Sequence, residues 1–326
     1  MINEGIKKTE DLLQPKIGSS ETTRESPVSS SVAFDSSRIT FDFADFIKHH
    51  LPTHKKDVDI SFLEWLVGFV EGNGRFCSRL VEEGSLKRHF LFQICQQDPK
   101  VLYKIRGHLG FGTVRKHYEL TEHWRYTIED RKGLQRIMAL FNGNLVLPKR
   151  RRQFANWIKE TEPIHHPSFV FKGQQTVPTV SLHTGWLSGF IDAEGCFYAP
   201  FTKPYTLSAR LTQKDVCGER EVLIEIGSLF TSHVEVNLAK KSDCYHLELS
   251  SPGSHDALVD YLKRFPLHQK AVIYRRWWRV YLLRKEGRHL TEAGISRMRR
   301  VCLAIQEERE KREEFRKQLK KEGLKI

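Results

Sequence analysis

The residues best placed to do chemistry lie in two similar stretches, WLVGFVEGNG at 65–74 and WLSGFIDAEG at 186–195. Each reads as an apolar helix closed by a glycine, Gly74 or Gly195, the residue type that ends helices without strain. The residue before that glycine therefore lies at a helix C-terminus, where the macrodipole disfavours negative charge by about 0.3–1 kcal/mol. In the second stretch that residue is Glu194, an acid where an acid costs stability. Hard cations such as Mg²⁺ prefer carboxylate oxygen, so Glu194 reads as a metal-holding group. In the first stretch the same position is Asn73, whose amide oxygen can ligate but brings no charge. Glu71 and Asp192, two residues earlier, point elsewhere on their helices and read as structural hydrogen-bonding acids.

Small residues recur four apart, Gly68 with Gly72 and Gly189 with Ala193, so each helix has a smooth face. Two such faces can meet backbone to backbone, which predicts a pair of helices packed across a pseudo-twofold axis. The elements around them repeat too. Residues 57–160 run from FLEWLVGFVEG through strand-like alternation to FGTVRKHYEL, WRYTIED and the helical LQRIMALFN. Residues 181–285 follow with LHTGWLSGFIDAEG, TLSARLTQK, REVLIEIGSLF, HVEVNLAKK, CYHLELS, HDALVDYLKRF and KAVIYRRWWRVYLL. Both blocks read as helix, hairpin, helix, hairpin, helix, an internal duplication of α+β class. Residues 161–180, with PIHHPSFVFKGQQTVP, read as a linker. The Ser- and Thr-rich residues 1–56 read as a poorly ordered tail, and the charge-dense residues 286–326 as a solvated, helical tail.

A net charge of +13, from 53 Lys and Arg against 40 Asp and Glu, predicts attraction to a polyanion, nucleic acid first. No apolar run approaches the ~18 residues of a membrane span, so a membrane partner is not expected. The six cysteines show no CxxC and read as small buried residues rather than a zinc site. The N-terminus lacks a signal peptide's apolar core, and neither a P-loop nor a zinc-deaminase signature is present. Strand alternation supplies the polymer contact. Arg75, Cys77 and Arg79 share one strand face, and His89 and Gln93 oppose the apolar Phe90 and Phe92. With Arg115 and His117, and with Tyr198, Arg210 and Lys240 in the second block, they form the expected DNA-binding set for sheets lying in the major groove.

The paired motifs resemble the two copies of the LAGLIDADG motif in a monomeric homing endonuclease, and the resemblance covers about residues 58–283. Supporting stretches are FQICQQDP with IRGHLGFGTV, ARLTQKD, and the pair NLVLPKRRRQFANW and FPLHQKAVIYRRWW. The resemblance implies two αββαββα domains, motif helices at the interface, and two saddle-shaped sheets gripping a long, nearly asymmetric double-stranded DNA site. It implies cleavage with Mg²⁺ or Mn²⁺, using the eighth motif position of each copy, here Asn73 and Glu194, with the carbonyls of Gly72 and Ala193 near the metal. Polar residues ending the second strands match Gln96 and Gln213. Basic residues before the last helices match Lys149 or Arg150, and Lys270. The departure is Asn73, which weakens one half of the site and leaves three readings, a site-specific intron-homing endonuclease, a group I intron maturase that binds intron RNA, or a non-catalytic DNA-binding protein. Family habit places the chain in an organelle, chloroplast or mitochondrion.

Overall fold

The computed structural model describes residues 40–80, 88–117, 123–173, 177–239 and 243–321. Helix α1 (Ile60–Asn73) starts where the Asp59 carboxylate accepts from the Phe62 backbone N–H, and stops at Gly74, which opens strand β1 (Gly74–Leu80) directly. Strand β2 (Arg88–Gln96), helix α2 (Lys100–Leu109), strands β3 (Thr113–His117) and β4 (His123–Ile128), and helices α3 (Arg131–Phe141) and α4 (Pro148–Glu160) complete the first block. The second repeats it with α5 (Trp186–Glu194), β5 (Gly195–Tyr198), β6 (Ser208–Gln213), α6 (Glu219–Ser228), β7 (Val236–Ala239), β8 (Cys244–Leu249), α7 (Pro252–Arg264) and α8 (Ala271–Lys285). Helix α9 (Glu292–Lys321) follows. The two antiparallel sheets share one topology, β1-β2-β4-β3 and β5-β6-β8-β7, so the inferred duplication is present strand for strand.

Alternation divides each sheet into two faces. Phe76 packs against Phe92 and Phe141 at ring separations of 5.5 Å, while Phe197 packs against Trp277 at 5.6 Å, and these faces are core. The opposite face of the first sheet is open. Arg75, Cys77, Arg79, Gln93, Arg115 and His117 line a groove of about 820 Å³ there.

The two blocks meet through α1 and α5, and the contact is between backbones. A β-carbon on Gly68 would stand 2.0 Å from the Trp186 carbonyl oxygen, and one on Gly189 would stand 1.8 Å from that of Trp65. Two buried acids fasten this contact. Glu71 accepts from the backbone N–H groups of Val146 and Leu147 (2.7 and 2.6 Å) and from Trp186 Nε1 on the opposite helix. Asp192 accepts from the N–H groups of His268 and Lys270 (both 2.6 Å) and from Trp65 Nε1 at 3.0 Å. Each acid thus ties its own helix to the partner helix and to the loop before its block's last helix. Burial raises the pKa of both, Glu71 to about 7, against the pull of these donors.

Both expected tails need correction. Residues 1–39 lie outside the described residues, but residues 40–56 pack on the first block, with Phe43 and Phe46 buried. The Asn144 amide accepts from the Asp42 backbone N–H (2.8 Å) and donates to its carbonyl (2.7 Å). That tie spans about a hundred positions, so local composition could not reveal it. The C-terminal segment is helical as expected, yet it is docked rather than solvated. Met298, Cys302, Ile305 and Phe315 are buried, and Arg276 on α8 donates to the Ala304 carbonyl at 3.1 Å. No disulfide joins the six cysteines, and no helix among the described residues is long and apolar enough to cross a membrane.

Gly189→Ala should force the two helices apart, and a destabilisation at or above the ~1–3 kcal/mol usual for core overpacking is expected in chemical denaturation. Glu71→Ala strands three buried donors at ~1–3 kcal/mol each, so its midpoint should fall at least as far.

Candidate active site

The C-terminal ends of α1 and α5 meet where the last small pair touches. A β-carbon on Gly72 would stand 2.3 Å from that of Ala193 and 3.1 Å from Glu194 Oε1, so the Glu194 carboxylate lies against the end of the opposite helix. Its side chain is 18% exposed, while Asn73 is buried. The expected pair is therefore brought together at the junction of the two blocks, each residue one step before its first strand.

Two groups of side chains surround the pair. On the Glu194 side, Arg150 donates from Nε to the Glu71 carbonyl (2.6 Å) and from its terminal nitrogen to the Gly72 carbonyl (3.0 Å). Lys149 beside it donates through Nζ to Gln213 Oε1. Burial lowers the pKa of both bases, and the Glu194 charge opposes that shift in each. On the other side, Asn73, Gln96, Ala193, Gln269, Lys270 and Arg316 share a cavity of about 450 Å³. Lys270 Nζ donates to the carbonyls of Ala193 (2.9 Å) and Ile191 (3.1 Å), and Gln269 Nε2 donates to Gln96 Oε1. Burial, then the neighbouring Arg316, pushes the Lys270 amine down to about 7. Lys149 of the first block thus meets Gln213 of the second, and Gln269 of the second meets Gln96 of the first. Each half of the site is built by both blocks.

The donor set fits a cation unevenly. Among the described residues no group of three or more His, Cys, Asp or Glu could hold a metal, so an ion here must rest on few protein oxygens and complete its shell from elsewhere. Glu194 offers a partly exposed anionic oxygen and suits one hard cation. Asn73 offers an amide oxygen only, and the Ala193 carbonyl beside it already accepts from the basic side chains of Lys270 and Arg316.

Of the expected polymer contacts, those in the first sheet lie together. Arg75, Cys77, Arg79, Gln93, Arg115 and His117 line one groove, and His89 is paired with Arg79 across β1 and β2, its Nε2 3.8 Å from Glu129. In the second sheet Arg210 is engaged by Glu248 at 2.9 Å and lies over the Tyr198 ring at 4.8 Å. Tyr198 also carries the guanidinium of Arg309, from α9, at 4.1 Å. It is therefore first a stacking platform for the protein's own cations. Lys240 lies outside the described residues.

Sequence reading missed Arg125 and Thr127 on the open face, although HWRYTI alternates cleanly and would have placed them there. It also missed Gln269 and Arg316. The available signal for Arg316 was the spacing of Met298, Cys302 and Ile305, which marks a helix with a docked apolar face.

Comparison with known proteins agrees with this geometry. The family model described as LAGLIDADG endonuclease matches residues 66–161 and again 187–281. A Neurospora crassa protein named probable intron-encoded endonuclease 4 is 30% identical over 245 residues, covering 70% of this chain and 41% of that relative. A Schizosaccharomyces pombe protein named uncharacterized cox1 intron-2 37.2 kDa protein is 28% identical, covering 77% of this chain and 75% of the relative. Among solved structures, the LAGLIDADG homing endonuclease I-GzeII in complex with its DNA target superposes with a TM-score of 0.58 at 15% identity, over 76% of this chain and 97% of that one. I-LtrWI bound to target DNA gives 0.58 at 20% identity, over 75% and 97%. The chain belongs to the LAGLIDADG endonuclease family.

Proposed function

We propose that the protein is a site-specific DNA endonuclease of the intron-homing kind, hydrolysing phosphodiester bonds with a divalent cation, Mg²⁺ or Mn²⁺. The observation that carries this reading is the Glu194 carboxylate at the meeting of the two motif helices, with Lys149, Arg150 and Gln213 grouped on its side. A cation held there would supply an electrophile for the phosphate and a source of activated water. Glu194 would hold that cation, Lys149 and Arg150 would offset phosphate charge, and Gln213, held by Lys149, would orient a water. The basic groove of the first sheet supports a double-stranded DNA partner, long because two sheets follow directly from the two motif helices. One chain carries both halves of the site, so the acting species is a monomer and its target is nearly asymmetric.

A second reading is a group I intron maturase that binds intron RNA. It is favoured by the charge lost at Asn73 and by a 25% identical relative, named intron-encoded RNA maturase bI4, from Saccharomyces cerevisiae, which matches 51% of this chain. The relative named for a cox1 intron supports an organellar origin, mitochondrial in preference to chloroplast.

The deciding measurement incubates the protein and Mg²⁺ with supercoiled plasmid carrying the uninterrupted exon junction. Open circles should appear before linear product, because only one half of the site has a carboxylate. Glu194→Gln should keep the fold and lose at least ~100-fold in cutting, the order expected when one essential group is removed from the transition state. Tight binding to intron RNA with an uncut plasmid would establish the maturase reading instead.

A further inference from the structure

Helix α9 packs against α8 and β5 of the second block and reaches the motif site. Its first half is anchored through Met298, Cys302 and Ile305, and its second half carries Arg309, Arg312 and Arg316 along one face. The last of these arrives at the end of α5. Arg316 donates to the Ala193 carbonyl at 2.9 Å and lies 4.0 Å from Glu194 Oε2, with 39% of its side chain still exposed. Pseudo-symmetry makes the position informative. At the equivalent place in the first block, the Gly72 carbonyl accepts from Arg150. At Ala193 the Lys270 amine fills that role, and Arg316 is an additional cation.

The extra charge lines the cavity of the Asn73 half of the site, 4.0 Å from the Glu194 carboxylate of the other half. Asn73, Lys270 and Arg316 line the same cavity, in which further basic side chains, Arg275, Arg309 and Arg312 among them, outnumber the acids Asp98, Glu308 and Glu313, so this half combines a neutral amide with a surplus of basic groups. That set repels a dication and attracts a phosphate. A guanidinium presents forked N–H donors that match phosphate oxygens, and Arg316 has donors to spare beyond the one on Ala193.

We propose that Arg316 is the phosphate-binding cation of the Asn73 half-site, supplying through a docked C-terminal helix the positive charge that this half does not hold through a carboxylate-bound ion. The inference rests on the endonuclease reading for which phosphate is bound, the scissile phosphate of the strand served by this half. The side chain keeps its place on the Ala193 carbonyl and turns its free N–H groups toward the backbone of the strand. Its role is charge neutralisation and positioning, with no proton transferred.

The test compares wild type, Arg316→Ala and Arg316→Lys in two measurements. In the first, affinity for a duplex carrying the exon junction is followed against KCl concentration in EDTA, so that nothing is cut. Loss of one phosphate contact should lower the slope of log affinity against log salt by about 0.9 in Arg316→Ala and leave it near wild type in Arg316→Lys. In the second, the two strands are labelled separately and cleaved with Mg²⁺. Arg316→Ala should slow one strand at least ~10-fold and the other less than ~3-fold, with partial recovery in Arg316→Lys. An unchanged salt slope overturns the proposal, as does tighter binding or faster cutting by Arg316→Ala, which would make Arg316 a plug. If wild type cuts neither strand, the endonuclease reading falls and the salt slope alone still decides whether Arg316 holds phosphate.

Discussion

Everything near the site depends on how closely α1 and α5 approach. Their backbones touch at Gly68 and Gly189, and no side chain larger than hydrogen fits at either place without displacing a carbonyl. Such proximity brings two helix C-termini together, and with them two sets of partial negative charges. The buried acids at the sixth motif position would worsen this if they faced the same way. They face away from the junction, into rings of N–H donors from the loops ahead of α4 and α8 and from the tryptophan of the opposite helix. Glu71 and Asp192 are thus the pins that convert helix packing into a fixed placement of Lys149, Arg150 and Lys270. The chemistry at the eighth position inherits its geometry from them.

Cations answer the negative potential left at the junction, and they answer it unequally. Arg150 bridges the Glu71 and Gly72 carbonyls, whereas Lys270 and Arg316 converge on Ala193. The Asn73 half of the site gathers more basic groups where the sequence supplies less negative charge. Asn73 and Arg316 therefore belong to one arrangement, in which Lys270 and Arg316 both engage the Ala193 carbonyl of the cavity that Asn73 lines.

Legibility from sequence followed the range of the interactions involved. The motif helices, the strand alternation and the duplication are written in periods of four and two, and the small-residue spacing foretold the contact at Gly68 and Gly189. The structural role of Glu71 and Asp192 was also readable, because their position on the helix separates them from Asn73 and Glu194. What composition hid were contacts spanning long stretches of chain. Asp42 pairs with Asn144, and Arg316 reaches back to Ala193. Both come from segments whose polar character argued for solvent. A few apolar residues, Phe43 and Phe46 at one end and Met298, Cys302 and Ile305 at the other, anchor them. Charge density outvoted those residues in a local reading although they settle where the segments go.

The same contrast separates the two sheets. On the first, Arg75, Arg79, Arg115 and Arg125 line an open groove and give a strongly basic floor. On the second, Arg210 is held by Glu248 and Lys214 pairs with Asp243 at 3.1 Å, so part of the strand-borne charge is already neutralised. Helix α9 adds its own basic residues there, with Arg309 on Tyr198 while paired with Glu313 at 3.4 Å, and Arg316 at the motif. A polyanion laid across both sheets would therefore meet basic strands in one half and a basic helix in the other. Charge fixed to a strand follows the sheet, whereas Arg309, Arg312 and Arg316 continue the face of α9 that docks through Met298, Cys302 and Ile305, so their placement depends on that docking. Fold symmetry thus coexists with electrostatic asymmetry, and the asymmetry is concentrated where the two halves of the site already differ.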